Sequence, residues 1–490
     1  MSLFRSFFKK RPRSLFENTL WGIYGELFSR IVKFVQLILI ANYLGVDGMG
    51  LFNYSLAAAG IMSVFYDFGI LVVATKNNTQ SRTHSDLAPY LLLKCVASLI
   101  GYLIFLGLLY LGVLKTDNAY VISILVASVI ISDVANLILA SYRVKQDFQQ
   151  EAKFRSWLII AQFLGSGIVL FLNGGLREIA ISLLLINIIS LYPMVRLIIG
   201  HSNNYLTNFT ARLRALFLEC LPFAGIVMVG ALYTNVDVLL LGHFLGMKEV
   251  GIYAVAMKFV LGLIIVPITF VQNAQIPSLV AHDDYNSTDI SGLYKEWMVG
   301  YKTTTLIGYL ICLTFVVLAE YIIKFTFGSK FIDSVAMLES LTIVGISYYL
   351  YTPLITLFII TKKAKFSFYG QLFCCVVNIV LLWWWIPIYG ITGAVAAAII
   401  VHLLIFLILF AITQRLLPLL FPIDVSVGIF SRLLLFLAII YSMRYADVQP
   451  FMREGLFKLL LSLLFIFIVR KDVKALCLEL WVVFNRLRKI

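Results

Sequence analysis

Residues 44–52 read LGVDGMGLF, and residues 245–253 read LGMKEVGIY. Leu, Gly and Gly recur at matching places of both stretches with a constant offset of 201 residues, and an aromatic residue ends each. Each stretch joins two long apolar segments. A repeat at this spacing predicts that the chain is built from two related halves.

The composition is that of a membrane protein. Of the 490 residues, 61% are hydrophobic and only 13% are charged, and the mean hydropathy is +0.96. Soluble domains carry roughly 25% charged residues. The net charge of +14 is typical of nucleic-acid binding in a soluble chain, but in a membrane chain the placement of Lys and Arg matters more than their sum. We therefore expect no nucleic-acid partner. The six cysteines show no spacing for a metal site or a disulfide framework.

Fourteen apolar segments have the length of a membrane span. They lie at about 17–43, 51–74, 89–113, 119–141, 155–173, 178–199, 216–242, 250–271, 299–319, 335–360, 367–388, 391–412, 425–443 and 455–469. Most connections are short, so no soluble domain fits between the spans. The sequence predicts an all-α polytopic membrane protein with about 14 transmembrane helices.

The repeat offset covers six of these spans. Because six is an even number, both halves have the same orientation in the membrane, which is a known arrangement of transporters. We predict two parallel-related six-helix bundles, at 1–200 and 201–413. Residues 414–490 then form two additional helices and a basic cytoplasmic tail.

Basic residues indicate the orientation. The segments on the side of the N-terminus hold more than three times as many Lys and Arg residues as the opposite side. The opposite side holds seven: Lys115, Arg177, Lys248, Lys324, Lys330, Arg444 and Arg453. By the positive-inside rule both termini are cytoplasmic.

Several short motifs resemble the Wzx-type oligosaccharide flippases of the multidrug/oligosaccharidyl-lipid/polysaccharide exporter superfamily. The resemblance rests on the order and spacing of ANYLG at 41–45, GLF at 50–52, DFG at 67–69, VDVLL at 236–240, VGIY at 250–253 and IPIYGITGA at 386–394. It extends over nearly the whole chain.

The resemblance implies a flippase in the bacterial inner (plasma) membrane. Its substrate would be an undecaprenyl-pyrophosphate-linked oligosaccharide, an O-antigen or related repeat unit, moved from the cytoplasmic to the periplasmic leaflet. Such a protein takes part in lipopolysaccharide or other surface polysaccharide biosynthesis, beside the polymerase machinery. It works in a lipid bilayer and is not an enzyme.

The first predicted helix carries charges at mid-membrane. Glu26, Arg30, Lys33 and Gln36 follow one another at helical spacing and share one face. A central Lys or Arg costs about 2.5–3.5 kcal/mol or more in hydrocarbon, so this face avoids lipid. One interpretation is a structural Glu26–Arg30 pair with Lys33 reaching toward the interface. The other is a wet cavity that binds the pyrophosphate. The resemblance adds Lys258 of the eighth helix, which with Arg30 and Lys33 would flank a lateral portal.

Three intramembrane acids are candidates for ion coupling: Asp67, Asp133 and Asp237. Each is either a binding site for H+ or Na+ or a static partner of a base. We find no phosphate-binding loop for ATP and expect no cofactor. The membrane potential favours outward movement of anions, by roughly 2.3 kcal/mol per charge per 100 mV.

Three alternatives stay open. A multidrug cation antiporter of the same superfamily would use the acids, whereas the mid-membrane bases argue against it. A lipid II flippase would handle nearly the same headgroup chemistry. A membrane glycan polymerase would need a large external loop, and no predicted outer loop reaches twenty residues.

Overall fold

The computed structural model describes residues 15–81, 87–112, 118–144, 147–199, 209–271, 290–361, 363–416, 423–445, 462–463 and 465. Within these ranges the chain forms thirteen α-helices and no strand, which confirms the all-α prediction. The helices are α1 Leu15–Tyr66, α2 Ile70–Ser81, α3 Leu87–Tyr110, α4 Ala119–Val144, α5 Phe148–Phe171, α6 Leu176–Ile199, α7 Phe209–Phe244, α8 Met247–Phe270, α9 Ile290–Phe327, α10 Ser334–Ile360, α11 Ala364–Tyr389, α12 Ile391–Leu416 and α13 Ile423–Tyr445.

Ten of the described helices are long and apolar enough to cross a membrane. Thirteen of the fourteen predicted spans coincide with described helices, and the first two share α1. The last predicted span, 455–469, lies almost entirely outside the described residues. The polytopic fold predicted from apolar segment length is therefore confirmed.

The backbone breaks twice in the region of the first two predicted spans, once between them and once inside the second. Gly45 in α1 has φ 73° and ψ −166°, so the chain turns there although the helix continues on both sides. A second break separates α1 from α2 at 67–69, where Gly69 has φ 89°. Such positive φ values favour glycine, which has no Cβ. The prediction of one continuous helix over 51–74 was wrong, because Asp67, Phe68 and Gly69 form a turn.

The described chain contains two compact units, Met1–Gly251 and Ile252–Ile490. This grouping differs from the predicted bundles at 1–200 and 201–413 and the segment 414–490, which follow the sequence repeat and stay a prediction. In the first unit α1 is central and packs against α3, α4, α5 and α7. In the second unit α10 packs against α9, α11, α12 and α13.

Small residues allow the helices of each unit to approach closely. In the first unit, a Cβ on Gly25 of α1 would come within 2.9 Å of the Ala152 Cβ on α5. In the second unit, Gly308 of α9 lies against the Tyr349 ring, and that ring's hydroxyl donates to the Leu263 carbonyl at 3.0 Å. Lipid tails are as apolar as the side chains, so helices in a membrane associate through close packing and hydrogen bonds.

The two repeat stretches meet within the first unit. A Cβ on Gly50 would overlap the Met247 carbonyl, and a Cβ on Gly251 would overlap the Val46 carbonyl. The second pair follows from the first by adding 201 to Gly50 and subtracting 201 from Met247. The contact therefore has the two-fold pattern that equivalent segments of a repeat produce when they face each other.

Candidate functional site

The charged face of α1 forms an ion-pair network. Arg30 lies one turn beyond Glu26, and its guanidinium donates to Glu26 Oε1 at 2.7 and 2.8 Å. This is the i,i+4 pair that the structural interpretation predicts. The second carboxylate oxygen of Glu26 accepts from Arg155 of α5 at 3.3 Å. Glu26 therefore holds two arginines from two helices.

Arg155 belongs to the cluster because α5 starts earlier than predicted. Asp147 caps the helix, and its side chain accepts from the backbone N–H of Gln150 at 3.3 Å. The cap places Arg155 two turns inside α5, where it also donates to Glu151 at 2.7 Å. Arg155 thus lies between two carboxylates, one from each helix.

A cavity of about 300 Å³ lies between α1 and α5 at this cluster. Glu26, Glu151 and Arg155 provide its charged lining, and the rings of Trp21 and Phe148 provide apolar walls. Gly22 and Gly25, which also line the cavity, lie where α1 and α5 pack closely. The cavity joins charged groups to aromatic rings, which is the composition of a site for an amphipathic headgroup.

Lys33 extends the cluster along α1. From the start of the α1 span at Leu20, a rise of about 1.5 Å per residue places Glu26 roughly 9 Å, Arg30 roughly 15 Å and Lys33 roughly 20 Å along the helix. Lys33 is exposed, and no ion pair of it is found within the described part of the chain. We call Glu26, Arg30, Lys33, Glu151 and Arg155 the charged ladder; it has three cations and two anions.

Gln36 departs from the ladder although it was predicted to share it. Its side chain is buried, and its amide donates to Ser166 Oγ at 2.5 Å and to the Gln162 carbonyl at 3.2 Å, both on α5. Gln162 donates to Asn187 of α6 at 2.8 Å, and Asn187 in turn donates to Ser128 of α4. The Gln36 amide thus belongs to a buried polar network that joins four helices.

Asp67 and Asp133 meet at a base that sequence reasoning missed. The ammonium of Lys94, on α3, pairs with both carboxylates. Its side chain is 1% exposed, and its Nζ lies 5.4 Å from the centroid of the Tyr66 ring. We call Lys94, Asp67 and Asp133 the buried triad. A charged group inside a membrane-spanning helix requires such partners, since hydrocarbon cannot solvate it.

The remaining predicted residues lie elsewhere. Asp237 is buried on α7 in the first unit, and its carboxylate accepts from the Val238 N–H at 2.8 Å. Lys258 lies half-buried on α8 in the second unit. Their predicted roles in ion coupling and at a portal stay predictions.

Two sequence signals could have found the missed residues. Lys94 interrupts the apolar run LLLKCV at 91–96, and an intramembrane base calls for an acidic partner. Asp147 and Gln150 have the spacing of a capping box. This motif predicts that α5 begins near residue 148, so that Glu151 and Arg155 belong to the helix.

Comparison with models of protein families identifies the family of this chain. Residues 15–281, more than half of the chain, match the family described as polysaccharide biosynthesis protein. The comparison with curated proteins gives no match.

Solved structures resemble the fold over most of the chain. Lipid II flippase MurJ in an inward closed conformation superposes with a TM-score of 0.69 at 17% identity, covering 93% of this chain and 100% of that one. A multidrug resistance MATE family transporter of the MOP superfamily, in an inward-facing conformation, gives 0.61 at 14% identity over 80% of this chain and 98% of that one. A MOP superfamily transporter from Pyrococcus furiosus, described by the reverse polarity of its binding pocket, gives 0.54 at 14% identity, with coverage of 81% and 94%. At these identities the likeness concerns the fold.

Proposed function

This chain belongs to the polysaccharide biosynthesis protein family, and on that premise we propose that it is a flippase for undecaprenyl-pyrophosphate-linked oligosaccharides. It carries the repeat unit of an O-antigen or related surface polysaccharide from the cytoplasmic to the periplasmic leaflet of the bacterial inner membrane. Alternating access of the two bundles moves the cargo, and no chemical bond is made or broken.

The charged ladder is the observation that carries this proposal. A diphosphate cannot enter hydrocarbon unaided, because the loss of its hydration is prohibitive. Arginine forks and a lysine ammonium replace part of that hydration. Arg30, Lys33 and Arg155 offer these groups within the spans of α1 and α5, beside a cavity of about 300 Å³. That volume is at the lower end of small-molecule sites and suits a headgroup rather than a whole oligosaccharide.

The two glutamates give the site a moderate affinity. A flippase must release its cargo, so three unopposed cations would hold a diphosphate too tightly. Glu26 and Glu151 form ion pairs with the guanidiniums of Arg30 and Arg155. An entering diphosphate exchanges with these carboxylates, and on its departure the ion pairs close again.

The membrane potential supplies a driving force for this cargo. An inside-negative potential favours outward movement of a negative headgroup by roughly 2.3 kcal/mol per charge per 100 mV. Coupling to H+ or Na+ would add to this term. Collapse of the potential and of the ion gradients should therefore slow the flipping.

The cation antiporter is the weaker alternative. Such a transporter needs carboxylates available to its substrate. Asp67 and Asp133 already hold the Lys94 ammonium, which takes the place that a drug cation would need. Asp237 is buried. The charged ladder has more basic than acidic side chains, which favours an anionic headgroup.

A double substitution tests the proposal in cells whose polysaccharide export depends on this protein. Arg30→Gln with Lys33→Gln removes two cations of the ladder and keeps side chains of similar length. We expect lipid-linked repeat units to accumulate on the cytoplasmic leaflet. Lys324→Gln is the matched control, because Lys324 forms an exposed i,i+4 pair with Glu320 on α9. Normal export by the double variant at normal protein level would remove the ladder from the mechanism.

A further inference from the structure

The buried triad carries an inference that does not depend on the identity of the cargo. One ammonium faces two carboxylates, so the fully ionised triad has a formal charge of −1. Lys94 is 1% exposed, and the side chains of Asp67 and Asp133 are 18% and 25% exposed. An uncompensated charge within the membrane-spanning region is costly. Binding of one proton to either carboxylate removes it, and the other carboxylate keeps the ammonium paired.

The triad lies at a break in the helix. Asp67 is the first residue of the turn between α1 and α2; its N–H donates to the Ser63 carbonyl at 2.8 Å, and its own carbonyl accepts from the Ile70 N–H at 2.7 Å. Gly69 completes the turn with φ 89°. Interrupted helices inside membrane transporters concentrate at ion and substrate sites, because the broken backbone can change its angle there.

The segment after the break is fastened to another helix. Ile70, Val73 and Ala74 of α2 pack in one cluster with Leu216 and Cys220 of α7. A Cβ on Gly69 would come within 2.5 Å of the Phe223 Cβ, next to Pro222 inside α7. One turn further from the cluster, Asn77 donates to both carboxylate oxygens of Glu219 at 3.0 Å. A change of angle at 67–69 therefore has to move α2 and the adjoining part of α7 together.

Among the residues that the structure describes, few other titratable groups face the triad. Tyr66 lies beneath the Lys94 ammonium on α1, and Cys220 faces Asp67 from α7. Glu219, the neighbour of Cys220, is held by Asn77. On α3, Cys95 follows Lys94 but is exposed. The three charged groups of the triad therefore determine its charge.

From this geometry we propose that Lys94, Asp67 and Asp133 form a proton-binding site, and that its protonation sets the angle between α1 and α2. The proton comes from water and binds to a carboxylate oxygen; no other bond changes. When the proton lies on Asp67, Lys94 keeps its ion pair with Asp133 and holds Asp67 less strongly, so Asp67 gains freedom at the turn. A sodium ion is not the ligand, because the ammonium already occupies the position between the carboxylates.

Infrared difference spectroscopy on the purified full-length protein in nanodiscs tests the binding site. We expect the carbonyl stretching band of a protonated carboxylic acid to appear as the pH falls. Asp67→Asn and Asp133→Asn each leave a neutral Lys–Asp pair, so both variants should lose this band. Asp333→Asn, an exposed aspartate in the second unit, should keep it. A band that persists in both triad variants, or one that sodium alone abolishes at constant pH, would overturn the proposal.

Spin labels test the change of angle. Asp47 and Lys76 are exposed on α1 and α2, on either side of the break, and cysteines replacing them in a background without the native cysteines carry the labels. We expect the label distance distribution to shift with pH in the otherwise native chain and to stay fixed in the Asp67→Asn and Asp133→Asn variants. Each variant is compared with itself at two pH values. A small structural effect of the substitution is present at both, so it does not account for a lost pH dependence of the distance. If the carboxylic acid band appears but the label distance does not change with pH, protonation does not set the angle between α1 and α2.

Discussion

Gly50 lies so close to Met247 that the carbonyl of Met247 occupies the space where a Cβ would stand. The same relation holds 201 residues away in sequence, between Gly251 and the carbonyl of Val46. The two glycines of the repeat thus serve a common purpose, which is to let equivalent turns touch through their backbones. Any side chain at Gly50 or Gly251 has to displace the backbone segment that lies against it.

Substitution of either glycine should weaken this contact. Because the opposing atoms are backbone, they cannot rotate aside, and overpacking of this kind typically costs about 1–3 kcal/mol. We expect Gly50→Ala and Gly251→Ala each to lower the melting temperature in detergent. Gly107→Ala on α3 is the control, since nothing lies within 4 Å of its Cβ position. There alanine should be neutral or stabilising by up to about 1 kcal/mol. Equal melting temperatures for the three variants would contradict the close contact.

Glu26 should limit the affinity for the headgroup. Glu26→Gln releases Arg30 and Arg155 and raises the formal charge of the ladder by one. We expect tighter binding of undecaprenyl diphosphate together with slower turnover, because release becomes harder. The carboxylate is about half exposed, so the gain is limited to about 1 kcal/mol, or roughly fivefold.

Glu320→Gln provides the control for this variant. Glu320 also forms an i,i+4 pair, with Lys324 at 2.5 Å, but on α9 in the second unit. Its loss should leave both affinity and turnover unchanged. Weaker binding by the Glu26→Gln protein would mean that the carboxylate helps to hold the cargo.

Arg155 should act through its fork and not only through its charge. Its guanidinium spans carboxylates from two helices, and the same planar geometry suits two phosphate oxygens. We expect Arg155→Lys to lose several-fold affinity for undecaprenyl diphosphate in a binding titration, although the charge is kept. Full affinity in the lysine variant would reduce the role of Arg155 to its charge.

Gln36 should matter for stability and not for the cargo. Gln36→Met keeps the volume and removes the amide that donates to Ser166 and Gln162. Each of these two hydrogen bonds contributes about 1 kcal/mol to stability. The expected result is a lower melting temperature at unchanged affinity for undecaprenyl diphosphate. The opposite result, with affinity lost and stability kept, would restore the substrate contact that the sequence predicted.

The placement of thirteen predicted spans was readable from the sequence, because long apolar segments have few other uses. The repeat at 44–52 and 245–253 could also be found, since glycine was kept where backbones touch. The turn at 67–69 was missed because the residues on either side of it, 61–66 and 70–74, are mostly apolar and together have the length of one span. Only the positive φ of Gly69 marks it, and glycine is common in membrane helices.

The site was only partly predictable for a different reason. Helical spacing places Glu26, Arg30 and Lys33 together, since it concerns one helix. It cannot say which residues another helix brings, and so Arg155 and Glu151 were missed. The same limit applies to Gln36, whose direction is decided by Ser166 of α5.

Flipping in proteoliposomes tests the central claim most directly. The purified protein is reconstituted with a fluorescent undecaprenyl-pyrophosphate-linked oligosaccharide, and in parallel with lipid II or with an organic cation. We predict that the oligosaccharide lipid crosses the bilayer, faster than lipid II, and that the Arg30→Gln, Lys33→Gln double variant loses most of this activity. The organic cation should not be transported. Transport of the cation without movement of either lipid would contradict the account.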